Sequence, residues 1–162
     1  MDYDKSLSGE TIENLELKRE TTELLGATHV MKPNVTIAID FDGTVVKHHF
    51  PYVGEEIPLC VNIMKEYIEK YNVGWILDTM RADKELEDAI KWFEDRGVVL
   101  YGVGKDPTQH QWTKSPKCYA PLSIDDRNVG TPLIYEYGER PYVDWGEIDK
   151  ILRPKLERLC HR

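Results

Sequence analysis

The sequence predicts an α/β fold, a three-layer sandwich in which helices cover both faces of a central parallel sheet. Three observations carry that expectation. From Pro33 onward, short apolar runs alternate with amphipathic helical patterns in the order β-α-β-α-β-β. The runs are apolar throughout rather than alternating, as strands buried on both faces are. Several end in acids or a hydroxyl, at the edge where open α/β sheets bind ligands.

Residues 1–32 differ from the rest and read as an acidic, helical N-terminal segment. Ser8 can cap a helix running to about Leu25, with Gly26 as its stop. Residues 33–162 form the main domain. Its first strand is the run Val35, Ile37, Ala38, Ile39, ending at Asp40. A loop over 43–57 follows, punctuated by Gly43, Pro51 and Gly54. Pro58 suits the first turn of a helix that carries Leu59, Ile63, Met64, Tyr67, Ile68 and Tyr71 at helical spacing. The second strand is 73–77. Asp83 can cap a helix to Arg96, with Leu86, Ala89, Ile90 and Phe93 on one face and Gly97 as its stop. Strands follow at 98–103 and 121–124, separated by a polar loop over 104–116. A short fifth strand is expected at 133–135, and a closing amphipathic helix at 147–159, bent at Pro154.

Composition narrows the function classes. The chain has 162 residues, 41% of them apolar, which suits one domain with a proper core. The formal net charge is -8, from 21 basic and 29 acidic residues, and half of that excess lies in residues 1–25. Such a balance argues against gripping a nucleic-acid backbone. It leaves room for a small phosphorylated substrate, because a metal and local geometry can override the global field. No apolar run is long enough to span a membrane, and the N-terminus does not read as a secretory signal. Cys60, Cys118 and Cys160 show neither a disulfide framework nor zinc spacing, so a reducing cytoplasm is the expected compartment.

The chemistry gathers at the strand ends. Asp40 and Asp42 stand two residues apart straight after a buried strand, where carboxylates need a partner. A divalent cation, Mg²⁺ above all, would supply one. Gly43 lets the chain turn sharply and bring backbone N–H groups to a phosphate. Thr79, just past the second strand, could donate its hydroxyl to a phosphate oxygen. Lys117 precedes the fourth strand, and Asp125 and Asp126 end it. Singly, each has a plainer reading as a polar turn, a capping threonine or a surface lysine. Together they describe a metal-assisted phosphate site.

These segments, DFDGTVV, WILDTMR and KCYAPLSIDDRNVG, resemble in order the motifs of the haloacid dehalogenase superfamily. The likeness is greatest to small members with little or no cap domain, some of which share a PxxGExxP loop, here Pro51 to Pro58. The resemblance covers roughly residues 34–150 and implies a Rossmann-like core. It also implies roles. Asp40 would be nucleophile and metal ligand. Asp42 would be general acid/base, with its carbonyl on the metal. Thr79 would orient the phosphoryl group. Lys117, or its competitor Lys114, would steady nucleophile and phosphate. Asp126 would bind the metal directly, and Asp125 would support it from behind or pair with Lys117. An acid at position 42 suits phosphatases, whose leaving alkoxide needs a proton. Asp42 must then hold a proton near neutral pH.

The resemblance therefore implies a Mg²⁺-dependent phosphatase working through an aspartyl-phosphate on a small phosphorylated metabolite or nucleotide. Two other readings stand beside it: a phosphatase of a nucleic-acid 3′-end or phosphoprotein, and a catalytically silent binding protein. Neither 44–57 nor 104–116 approaches the ~50 residues of a small domain, so no cap is expected. The site must be open, or roofed by the 43–57 loop, the N-terminal segment or a second copy in a homo-oligomer. Arg81 is the candidate to clamp a second anion of the substrate. His48 and His49 could touch substrate, but a solvated loop pair is the plainer reading. Trp112, Tyr119 and Trp145 could stack a base, but core packing is the plainer reading.

Overall fold

The computed structural model describes residues 32–160. The helix expected from Ser8 to Leu25 lies outside them. The main domain is α/β, with an all-parallel four-stranded sheet flanked by helices, consistent with a three-layer Rossmann-like arrangement. The elements are β1 (Val35–Ile39), α1 (Cys60–Tyr71), β2 (Val73–Leu77), α2 (Asp83–Asp95), β3 (Leu100–Val103), a 3-10 turn (Gln109–Gln111), β4 (Leu122–Ile124), β5 (Leu133–Ile134), β6 (Tyr142–Val143) and α3 (Trp145–Cys160). Among the described residues no helix is long and apolar enough to cross a membrane.

Strand order is β3-β2-β1-β4. The two inner strands, β1 and β2, are the most apolar, and all five residues of β2 are buried. That is what a strand covered on both faces requires. One core cluster joins Ile37, Ile39, Trp75 and Leu77 of the sheet to Met64 and Tyr67 of α1, Phe93 of α2 and Trp145 and Leu152 of α3. Trp75 anchors it, with its ring parallel to Tyr67 and edge-on to Trp145, and its Nε1 donating to the Met64 carbonyl at 3.1 Å. Ala38 and Ile76, which point to the opposite face, are buried as well.

Several boundaries differ from the sequence reading. Pro58 lies outside α1. Leu59 takes a left-handed conformation (φ 71°) and starts the helix without a side-chain cap. Asp83 does not cap α2: it is its first residue, with φ 48°, and Ala82 stands at the cap. Gly97 does stop the helix, with φ 67°. The expected fifth strand forms, but it leaves the main sheet and pairs antiparallel with β6, which the sequence reading missed. Pro154 lies inside α3.

Register positions the site. Ile39 of β1 pairs with Leu77 of β2 and with Ile124 of β4. The three strands therefore end level, and the next residues, Asp40, Asp78 and Asp125, stand abreast. Their backbones continue the ladder: Asp40 N–H donates to the Ile124 carbonyl at 3.0 Å and Asp78 N–H to that of Ile39 at 2.9 Å.

Candidate active site

A tight turn after β1 builds the centre. The Phe41 carbonyl accepts from the N–H groups of Thr44 at 3.1 Å and Val45 at 3.0 Å, folding the chain back over the strand end. Thr44, fully buried, ties the turn to both acidic strand ends. Its hydroxyl donates to Asp40 Oδ2 at 3.3 Å and accepts from the Asp126 N–H at 3.2 Å. Its carbonyl accepts from Trp145 Nε1 at 2.7 Å. Gly43 is needed for space as well as for its φ of 81°: a Cβ there would stand 2.1 Å from His48 Nε2 and 2.6 Å from Asp126 Oδ2. Its N–H donates to the Val46 carbonyl at 2.7 Å, which closes the sharp turn the sequence reading expected there.

One carboxylate oxygen from each of Asp40, Asp125 and Asp126 falls within 4.8 Å of the others. Burial pushes the Asp40 carboxyl up to about 7. Repulsion from Asp125, Asp126 and Asp42 adds to the rise, and the Phe41 N–H partly offsets it. Asp126 is also raised, chiefly by burial and its contact with Asp125, while His48 works the other way. Asp78 is raised by burial and by Asp125. A crowd of half-buried carboxyls is the environment that a hard divalent cation relieves, and an all-oxygen donor set suits Mg²⁺. The residues fit such an ion.

Asp42 is held elsewhere. Arg81 grips it as a two-pronged fork, Nε to Oδ2 and Nη2 to Oδ1, both at 2.7 Å. The guanidinium is almost wholly enclosed. It also donates to the carbonyls of Pro51 at 3.2 Å and Tyr52 at 2.7 Å, and packs on the rings of Phe41 and Phe50. Arg81 is therefore a buried strut between Asp42 and the 43–57 loop. This corrects the expectation that it offers itself to a second anion of the substrate. It also changes the picture of Asp42, both of whose oxygens accept from Arg81.

Thr79 stands at the end of β2, half-buried, its oxygen accepting from the Arg81 N–H at 3.2 Å. That leaves its hydroxyl hydrogen to donate. Lys117 and Lys114 are exposed, and neither makes an ion pair among the described residues, so the expected pairing of Lys117 with Asp125 is not formed. The loop carrying Lys117 is fixed by buried Gln109, whose side-chain amide donates to the Lys117 carbonyl at 2.6 Å. Cys118, next in sequence, feels Asp78 and is pushed up to about 11, mainly by burial, so this loop runs beside the β2 end.

His48, for which the sequence reading favoured a solvated place, is largely enclosed. Its Nε2 lies 3.0 Å from Asp126 Oδ2, with both side chains largely enclosed. His48 also lines an open cavity of about 550 Å³ shared with Lys47, Gly54 and Arg140. His49 stays exposed, as expected. Of the three aromatic residues, only Trp145 is core. Trp112 and Tyr119 are exposed by 60% and 51% and meet edge to face at 5.2 Å, which overturns the core reading for both.

No protein-family profile and no curated protein matches the chain. Among solved structures, a conserved protein from Bacteroides thetaiotaomicron is similar to it. The two are 40% identical, with a TM-score of 0.60, and the match covers 75% of this chain and 91% of the other. At that identity and coverage, the chain belongs to the family of this conserved Bacteroides thetaiotaomicron protein.

Proposed function

We propose that the chain is a phosphatase of the haloacid dehalogenase type, dependent on Mg²⁺ and working through an aspartyl-phosphate. The observation that carries this reading is the convergence of Asp40, Asp125 and Asp126 oxygens within 4.8 Å at the C-terminal edge of a parallel sheet. The ion, held by those three residues, would neutralise the carboxylates and the phosphoryl oxygens. Asp40 attacks phosphorus, forming an O–P bond as the ester P–O bond breaks. Asp42, which accepts from Arg81 through both oxygens, takes up a proton from solvent before giving one to the departing oxygen. It then takes a proton from the water that attacks the aspartyl-phosphate, and Asp40 is released as a carboxylate. Thr79 donates its hydroxyl to a phosphoryl oxygen. Lys117 or Lys114 reaches the phosphate from the adjoining loop.

The substrate reading is a small phosphorylated metabolite or nucleotide. The exposed Trp112–Tyr119 pair, on the same loop as the exposed Lys114 and Lys117, favours the nucleotide end of that range, and keeps a nucleic-acid 3′-end as the second reading. A panel of sugar phosphates, mononucleotides and 3′-phosphorylated oligonucleotides, assayed with Mg²⁺ and with Asp40→Asn as blank, tests both. Turnover of none of them, above that blank, would leave the phosphoprotein phosphatase and the silent binding protein as the surviving readings.

A further inference from the structure

We infer that His48 is a positioning residue for the cation site, holding Asp126 in its ligating orientation through an Nε2–H···Oδ2 hydrogen bond. The inference rests on the metal-site reading above. Three observations carry it. The contact is short, 3.0 Å, and enclosed, with 14% and 10% of the two side chains exposed. As a metal ligand Asp126 is a carboxylate and only accepts, so this role assigns the hydrogen to Nε2. The Asp126 backbone is fixed separately, through its N–H on the Thr44 hydroxyl at 3.2 Å. Main chain and one carboxylate oxygen are thus both held, which fixes the orientation of the Asp126 carboxylate.

The fold makes room for this contact. The ring lies against the turn at Gly43, where a Cβ would stand 2.1 Å from Nε2. Any side chain at position 43 would push the imidazole off Asp126. His48 itself stays outside the group of three acids whose oxygens converge, so it acts on the ion through Asp126 rather than as a fourth ligand. Partners that orient metal ligands typically change affinity about 10- to 100-fold when removed.

The test is calorimetric titration of the full chain with Mg²⁺ or Mn²⁺ alone, without substrate, alongside circular dichroism to confirm folding. His48→Ala should bind about 10- to 100-fold more weakly than wild type. His48→Gln, which keeps an N–H donor of similar reach, should recover most of the loss, and His49→Ala should match wild type. A folded His48→Ala that binds the ion as tightly as wild type overturns the inference while leaving the metal site standing. His48→Gln as weak as His48→Ala shows that the ring acts by packing, and the donor role falls. Wild-type protein that binds neither ion removes the metal-site reading, and this inference with it.

Discussion

Asp40→Asn should stabilise the metal-free protein while abolishing turnover. Asp40 has an ordinary pKa of 3.8, and in the fold it stands at about 7. That rise corresponds to about 4 kcal/mol of preference for the neutral form. Residual solvent contact lowers the usable figure to about 2–4 kcal/mol. The sign follows from linkage. Below about pH 4 both folded and unfolded states hold the proton, and the group contributes nothing. As pH rises towards 7 the unfolded state ionises first, and stability falls. Above about pH 7 both are ionised, and the folded state alone carries a desolvated carboxylate among three others. An amide of the same shape is neutral at every pH and escapes this. Urea denaturation with chelator present, at about pH 5 and about pH 8, measures it. The variant should exceed wild type most at the higher pH, by about 4–16 °C if read as Tm. Added Mg²⁺ should stabilise wild type and scarcely affect the variant. A variant less stable than wild type at pH 8, or equally stabilised at both pH values, would refute the account of Asp40. Normal phosphatase turnover by the variant, freed of wild-type enzyme, would refute the nucleophile.

Arg81→Ala leaves Asp42 and two loop carbonyls without their donor. It should cost about 3 kcal/mol or more in urea denaturation, and Arg81→Lys should recover little, because an ammonium cannot reproduce the fork. Trp145→Phe removes the buried donor to the Thr44 carbonyl. A loss of about 1–3 kcal/mol is expected, and an unchanged midpoint would show that bond to be idle. Asp126→Ala should weaken Mg²⁺ binding more than Asp125→Ala does, because the Asp126 side chain is the more enclosed of the two, 10% exposed against 24%. Metal titration of the two variants decides the order, and a larger loss at Asp125 would exchange their roles.

What was legible in the sequence follows from what is local. Runs such as Val73–Leu77 are short, apolar and bounded, and a strand with no polar face can only be buried, so the four strands of the main sheet could be placed to within two residues. Strand ends followed, and with them Asp40, Asp125 and Asp126. Helix starts were harder. Leu59 and Asp83 adopt positive φ, which neither residue favours by itself, so no local rule marks them. β6 is two residues long and exists only through its pairing with β5. Asp78 needed register: it joins the acidic row because Leu77 and Ile124 both pair with Ile39, which no single segment states.

Side-chain direction was the least legible quantity, and it decides the site's chemistry. Arg81 follows Thr79 by two residues in a polar stretch, so it reads as a solvent-facing cation. It turns inward because Asp42, the carbonyls of Pro51 and Tyr52 and the ring of Phe41 together satisfy a guanidinium more fully than water-exposed geometry would. His48 and His49 are adjacent and identical in type, yet one contacts Asp126 and the other faces solvent. The difference comes from Gly43, whose missing side chain leaves a berth for one imidazole only. Lys117 shows the converse. Its spacing before β4 puts it next to Cys118, whose thiol feels Asp78 at the β2 end, but spacing says nothing of where a four-carbon stem will point. A flexible, exposed lysine is suited to swing onto a phosphate when one arrives, which is why the absence of an ion pair at Lys117 among the described residues is compatible with the role proposed for it.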